Sequence, residues 1–180
     1  MQGLVFQVLE TCYVDAFGSD SWFEVVAAAD AQSSYSYAAS YPDAELGRLV
    51  MAIAAAHDLS PEQALRWFGQ HAIPHFRAYA PQLFDRYKAC WPFLRSLNDI
   101  IHPEVRNLYP GVDVPNFEYP VPVGDERVIL YRSPRRLCAL AEGLMLGAAA
   151  HFGETLAISQ SRCMHRGDDH CRFELSFTIA

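Results

Sequence analysis

The chain has no apolar run long enough to cross a bilayer, so no membrane role is expected. No basic segment precedes its first apolar residues, and Glu10 arrives early. A secretory signal is therefore not expected, and the cytoplasm is the expected compartment. Positive charge is in short supply: a formal net charge of −7 argues against a general nucleic-acid binder. Internal repeats and low-complexity segments are absent. No nucleophile–base pair, phosphate-cradling loop or carboxylate pair with a definable partner is visible, so an enzyme is not expected. Five cysteines without a secretory signal are expected to be free, redox-active or metal-bound rather than bridged.

What is present is apolar and aromatic. With 180 residues, 51% of them hydrophobic and 13% aromatic, the chain is expected to form one domain over residues 1–180 with a substantial core. Leu4, Val5, Val8, Leu9 and Cys12 repeat at helical spacing, and Gly18 stops that helix. Asp43 opens a second helix with Leu46, Leu49, Val50 and Ile53 on one face. Ser60, Pro61 and Gln63 read as a capping box with proline at the first helical position, ahead of Leu65, Trp67 and Phe68. The stretch from Leu83 to Leu108 reads as helix, with Leu94, Leu97, Ile101, Val105 and Leu108 as its stripe and with Pro92 and Pro103 kinking or interrupting it.

Pro110, Pro115, Pro120 and Pro122 mark an extended passage where the architecture changes. Val128–Tyr131 reads as a strand and residues 134–152 as a helix stopped by Gly153. Two strands close the chain around a turn at Arg166-Gly167-Asp168-Asp169; in the last, Phe173, Leu175, Phe177 and Ile179 alternate with polar residues. The expected fold is α+β: N-terminal helices packed on a C-terminal antiparallel sheet with one inserted helix.

Two local patterns carry chemistry. In Tyr131-Arg132-Ser133-Pro134-Arg135-Arg136, Ser133 and Pro134 read as an N-cap and first-turn proline. Arg135 and Arg136 then stand at the positive end of the helix dipole, where each cation costs about 0.3–1 kcal/mol. An anion over that turn would account for them; arginines pointing to solvent are the plain alternative. The second pattern is His102-Pro103. Proline disfavours α conformation in the residue before it, so the helix is expected to bend or break at His102 and to aim the imidazole away from the helix surface. A satisfied core or surface histidine is the alternative.

Taken together, His102, the Tyr109-Pro110-Gly111 run, Pro115 and Tyr131-x-Ser133-x-Arg135 resemble, in order and separation, the H-NOX family of haem-nitric oxide/oxygen binding domains, in its bacterial stand-alone form. The resemblance covers the whole chain. It implies haem b held between the helical and sheet parts, with His102 as the axial iron ligand. Tyr131, Ser133 and Arg135 would hold the propionates, and Pro115 would press on and distort the porphyrin. The implied distal wall is Val5, Leu9, Pro74, Ala78, Leu140 and Leu144. Oxygen-binding members carry a tyrosine at the position of Leu140; an apolar wall here implies nitric oxide and carbon monoxide as ligands. Nitric oxide weakens the bond opposite it, so a two-state switch moving the His102 helix is implied. The implied partner is a histidine kinase (a two-component system), or a cyclic-di-GMP diguanylate cyclase or phosphodiesterase.

Cys138, Cys163 and Cys171, with His165 and His170 near them, form a third pattern. Three thiols and one imidazole suit tetrahedral zinc, while buried free thiols or an oxidative disulfide are the alternatives. Cys163-Met-His-x-Gly-x-Asp-His-Cys171 resembles a zinc-binding, redox-sensitive cluster of some bacterial family members. Those members place a histidine three residues before the second cysteine, where this chain has Gln160. The fourth position is therefore open among His165, His170 and Gln160. A zinc or thiol redox sensor is the alternative function, and haem peroxidase chemistry is disfavoured because the distal wall lacks an acid or base. Cys12 and Cys90 read as small core hydrophobes.

Overall fold

The computed structural model describes residues 1–109, 111–121 and 127–179. Four helices open the chain: α1 (Gly3–Phe17), α2 (Ser19–Ala28), α3 (Asp43–Ala56) and α4 (Pro61–Tyr79). Gly18, at φ +86°, ends α1 as its sequence position implied. The capping box of α4 is formed: Gln63 N–H donates to Ser60 Oγ at 3.2 Å, and Ser60 N–H to Gln63 Oε1 at 2.7 Å. Helix α2 was not anticipated. It buries Trp22, Val25 and Val26 against its neighbours despite a polar, cap-like opening.

The stretch read as one helix from Leu83 to Leu108 is in pieces: α5 (Pro81–Phe84), α6 (Cys90–Arg95), a π-helical turn (Leu97–Ile101) and α7 (His102–Leu108). Leu108, assigned to the apolar stripe, is exposed, because the pieces do not keep one face turned inward. Pro92 sits in the first turn of α6, where a proline costs no hydrogen bond, and Pro103 stands second in α7, directly after the π-helical turn.

The sheet is antiparallel, in the order β1 (Asn116–Glu118), β2 (Arg127–Arg132), β4 (Cys171–Ile179), β3 (Glu154–Arg162). Strand β1 extends the sheet with part of the proline-marked passage; Pro110 and Pro122 lie outside the described residues. Helix α8 (Cys138–His151) is inserted between β2 and β3, and Gly153, at φ +71°, follows its end. Met164–Arg166 forms a 3₁₀ turn closed by Gly167 at φ +95°. The α+β architecture read from the sequence is the architecture found.

Two apolar clusters meet at α8. Phe6, Leu9, Tyr13, Leu49 and Phe68 pack with Leu140 on the helical side. Ile129, Tyr131 and Phe173 pack with Met145 and Ala148 on the sheet side. Helices α4 and α8 touch backbone to backbone: a Cβ at Gly143 would stand 2.2 Å from the Arg66 carbonyl oxygen. Only glycine permits that approach, which fixes α8 and the residues before it against the helical layer.

Candidate functional site

His102 begins α7 in ordinary α conformation (φ −66°, ψ −38°), so the helix does not break at this residue. The irregularity falls one turn earlier. Ile100 and Ile101 N–H both donate to the Ser96 carbonyl, at 2.9 and 3.1 Å, and His102 N–H reaches the Leu97 carbonyl. This wider turn absorbs one extra residue, a device common at functional sites. Asn98, which the sequence reading passed over, ties the turn to β1: its amide donates to the Phe117 carbonyl and accepts from Phe117 N–H.

The imidazole is half-buried, and its Nδ1 is shut off from solvent with no hydrogen-bond partner among the described residues. Burial pushes its pKa down to about 4, helped by the charge of Arg106; the Pro115 carbonyl near the ring works weakly in the other direction. At neutral pH the ring is therefore uncharged, with a nitrogen lone pair free. It stacks 5.7 Å from the Phe117 ring, which lies 5.5 Å from Tyr131, which in turn lies 6.4 Å from Phe173. This aromatic ladder connects His102 to the sheet strand that holds Tyr131.

Tyr131 and Ser133 are buried. Burial pushes the Tyr131 hydroxyl up to about 12, and the Ser133 hydroxyl beside it opposes that. The segment after Tyr131 corrects the sequence reading. Ser133 does not cap a helix, because α8 starts only at Cys138. Arg136 N–H donates to the Ser133 carbonyl at 3.1 Å and Arg135 N–H to Ser133 Oγ at 3.3 Å, a tight turn in which Arg136 takes φ +51°. The chain must reverse between β2 and α8, and Pro134 serves that reversal. The arginines thus escape the helix dipole. Arg135 instead reaches Asp43 Oδ2 at 2.6 Å and Asp113 Oδ2 at 3.6 Å. Burial raises the Asp43 carboxyl, but hydrogen bonds from the Met1 amine and Arg135 hold it below the usual range. Neither aspartate was singled out as a partner, because contacts so distant in sequence leave no local pattern.

Of the expected distal residues, Leu9 and Leu140 are buried, with Val5 and Leu144 packed on the same cluster, while Pro74 and Ala78 are exposed on α4. None of the six offers a side-chain hydrogen-bond donor.

The thiols of Cys138, Cys163 and Cys171 converge. All three sulfurs lie within 4.8 Å of one another, and the Cys138–Cys163 and Cys163–Cys171 pairs are each 3.9 Å apart. Among the described residues no histidine nitrogen joins the group; His165 Nε2 bonds the Arg136 carbonyl at 2.7 Å, and His170 Nδ1 bonds Asp169 at 2.6 Å. Burial pushes Cys138 up to about 12 and also raises Cys171. Burial acts on Cys163 too, but the His165 N–H and the neighbouring thiols hold it below its ordinary value. Cys12 and Cys90 are buried apart from these, as core hydrophobes.

Fold and site together define an α+β domain whose helix-borne, uncharged imidazole meets an antiparallel sheet through a ladder of rings. The Haem-NO-binding family model matches residues 2–160, and the chain belongs to that family, the H-NOX proteins. Among solved structures, it is similar to an H-NOX protein from S. oneidensis in the Fe(II)NO ligation state, with 31% identity, 99% of each chain covered and a TM-score of 0.92. The H-NOX domain from Shewanella oneidensis in the Fe(II)CO state is 30% identical over 100% of both chains, with a TM-score of 0.89. The unliganded Fe(II) H-NOX protein from K. algicida, 23% identical over 100% of this chain and 98% of that one, shares the fold with a TM-score of 0.86. No curated protein matches the chain. Among the described residues, no helix is long and apolar enough to cross a membrane.

Proposed function

We propose that residues 1–180 form a haem-based nitric oxide sensor that is not itself an enzyme and that controls a separate signalling partner, a histidine kinase or a cyclic-di-GMP enzyme. The observation that carries this reading is the His102 ring: uncharged at neutral pH, with an orphaned buried nitrogen, which is the state an iron ligand needs. The donor set fits the cofactor. His102 would supply a nitrogen to the iron, Tyr131 and Ser133 would supply hydroxyls for the propionates, and Pro115 would bear on the porphyrin. Arg135, which shares its charge with Asp43 and Asp113, would bind a propionate. When bound, ferrous haem supplies the open coordination position for a diatomic gas.

The chain's own residues do the rest. Leu9, Val5, Leu140 and Leu144 give the gas no hydrogen bond, which favours nitric oxide and carbon monoxide over oxygen. The π turn before His102 holds one residue of slack. Its conversion to α would rotate α7 and redirect the Asn98 tie to β1, giving the two-state element a sensor requires. The test is an absorbance spectrum of the purified ferrous protein. A Soret band that shifts with nitric oxide and is stable in air supports the proposal; a long-lived oxygen complex, or no haem, refutes it.

The clustered thiols favour a second function in the same molecule, a redox response at Cys163. Zinc fits this cluster poorly, since none of the candidate imidazoles reaches it.

A further inference from the structure

The thiol cluster differs from the tetrahedral zinc site that its sequence resembles, and the difference points to another ion. Tetrahedral zinc takes four protein ligands in a closed site. Here three sulfurs meet, and among the described residues no imidazole nitrogen belongs to the group; His165 Nε2 faces the Arg136 carbonyl and His170 Nδ1 faces Asp169. Water is a poor substitute, because Cys138, Cys163 and Cys171 are 6%, 7% and 0% exposed. Gln160 stands where an imidazole would be needed. It pairs with Phe173 across β3 and β4, so it lies on the face of the sheet that carries Cys171. Its Nε2 is buried and has no partner among the described residues. The amide nitrogen donates hydrogen bonds and does not ligate a cation, and the amide oxygen is a hard ligand that suits a soft, thiolate-bound ion poorly.

The three sulfurs are nonetheless arranged for one ion. With a metal–sulfur bond of about 2.3 Å, three sulfurs in a plane around an ion stand about 4.0 Å apart. The Cys138–Cys163 and Cys163–Cys171 pairs stand at 3.9 Å and the third pair within 4.8 Å, spacings compatible with one ion bound by all three sulfurs. Met164 N–H donates to Cys171 Sγ at 3.3 Å, the kind of backbone bond that stabilises sulfur carrying negative charge.

We infer that Cys138, Cys163 and Cys171 form a three-sulfur site for a soft, three-coordinate metal ion of the copper(I) class rather than a tetrahedral zinc site. Thiolates without nitrogen or oxygen co-ligands select such an ion. Each thiol that binds gives up its proton to solvent and forms one sulfur–metal bond; no electron changes hands. The inference stands apart from the haem, since none of these residues is among those assigned to hold it.

The test uses the haem-loaded chain, reduced and kept free of air. Copper(I) is offered from its bicinchoninate complex, and zinc(II) from a pyridylazo-resorcinol complex, with each chelator's absorbance as the readout. The chain should withdraw about one equivalent of copper(I) and leave zinc with its chelator. Cys163→Ser should abolish copper uptake. Gln160→His restores an imidazole and should raise zinc affinity on the order of tenfold or more. The inference is overturned if the unaltered chain withdraws zinc stoichiometrically, if it takes neither ion, or if Gln160→His leaves zinc binding unchanged.

Discussion

The burial of His102 has a consequence for folding that needs no haem. Its pKa is about 4 in the folded chain, against an ordinary 6.5. The unfolded chain therefore binds the proton more readily. The stabilisation is fully present above pH 6.5 and is lost as pH falls towards 4. At 1.36 kcal/mol per pKa unit the complete loss is about 3 kcal/mol, and about 2 kcal/mol is gone by pH 5. That is a large share of the 5–15 kcal/mol typical of a domain. Urea unfolding of cofactor-free protein at pH 7 and pH 5 measures it, with His102→Leu as the control for every other titrating group. The difference in unfolding free energy between the two pH values should be smaller in the variant by about 2 kcal/mol. Equal pH dependence in both proteins would show that His102 is not held neutral by burial, and the argument for a free ligand nitrogen would fall with it.

Other expectations rest on single contacts. Arg135→Ala should weaken haem retention, measured by transfer to apomyoglobin, whereas Arg136→Ala, whose side chain is on the exposed side of the turn, should matter much less. Gly143→Ala forces a Cβ against the Arg66 carbonyl and should lower stability by about 1–3 kcal/mol in urea melts. On the proposed assignment of Leu140 to the distal wall, Leu140→Tyr should add a hydroxyl near the gas, and the ferrous protein should then hold oxygen long enough to give an oxygen-bound spectrum in air.

Where pattern is local, the sequence was legible. The α4 capping box, the Gly18 stop and the final strand all rest on residues within a turn or a register of one another. The misses share a physical cause. Ser133-Pro134 carries the same residues whether it caps a helix or makes a turn, and the choice was set by the reversal from β2 into α8. His102-Pro103 announced an irregular helix, but the excess was taken up as a π turn because Asn98 pins that turn to β1. The ion pairs of Arg135 with Asp43 and Asp113 are tertiary contacts with no trace in spacing. Helix α2 was hidden behind a polar beginning, and β1 is too short to show a period. Site chemistry was legible chiefly through the resemblance; the neutral, orphaned state of His102 came only from the fold.

The central claim is that His102 holds haem iron. The direct measurement is the haem content and ferrous absorbance spectrum of His102→Gly beside the unaltered protein, each with and without added imidazole. The variant should emerge largely without haem, and imidazole supplied during expression should restore both haem content and a histidine-like Soret band. A variant that retains haem with an unchanged ferrous spectrum, and does not respond to imidazole, would contradict it.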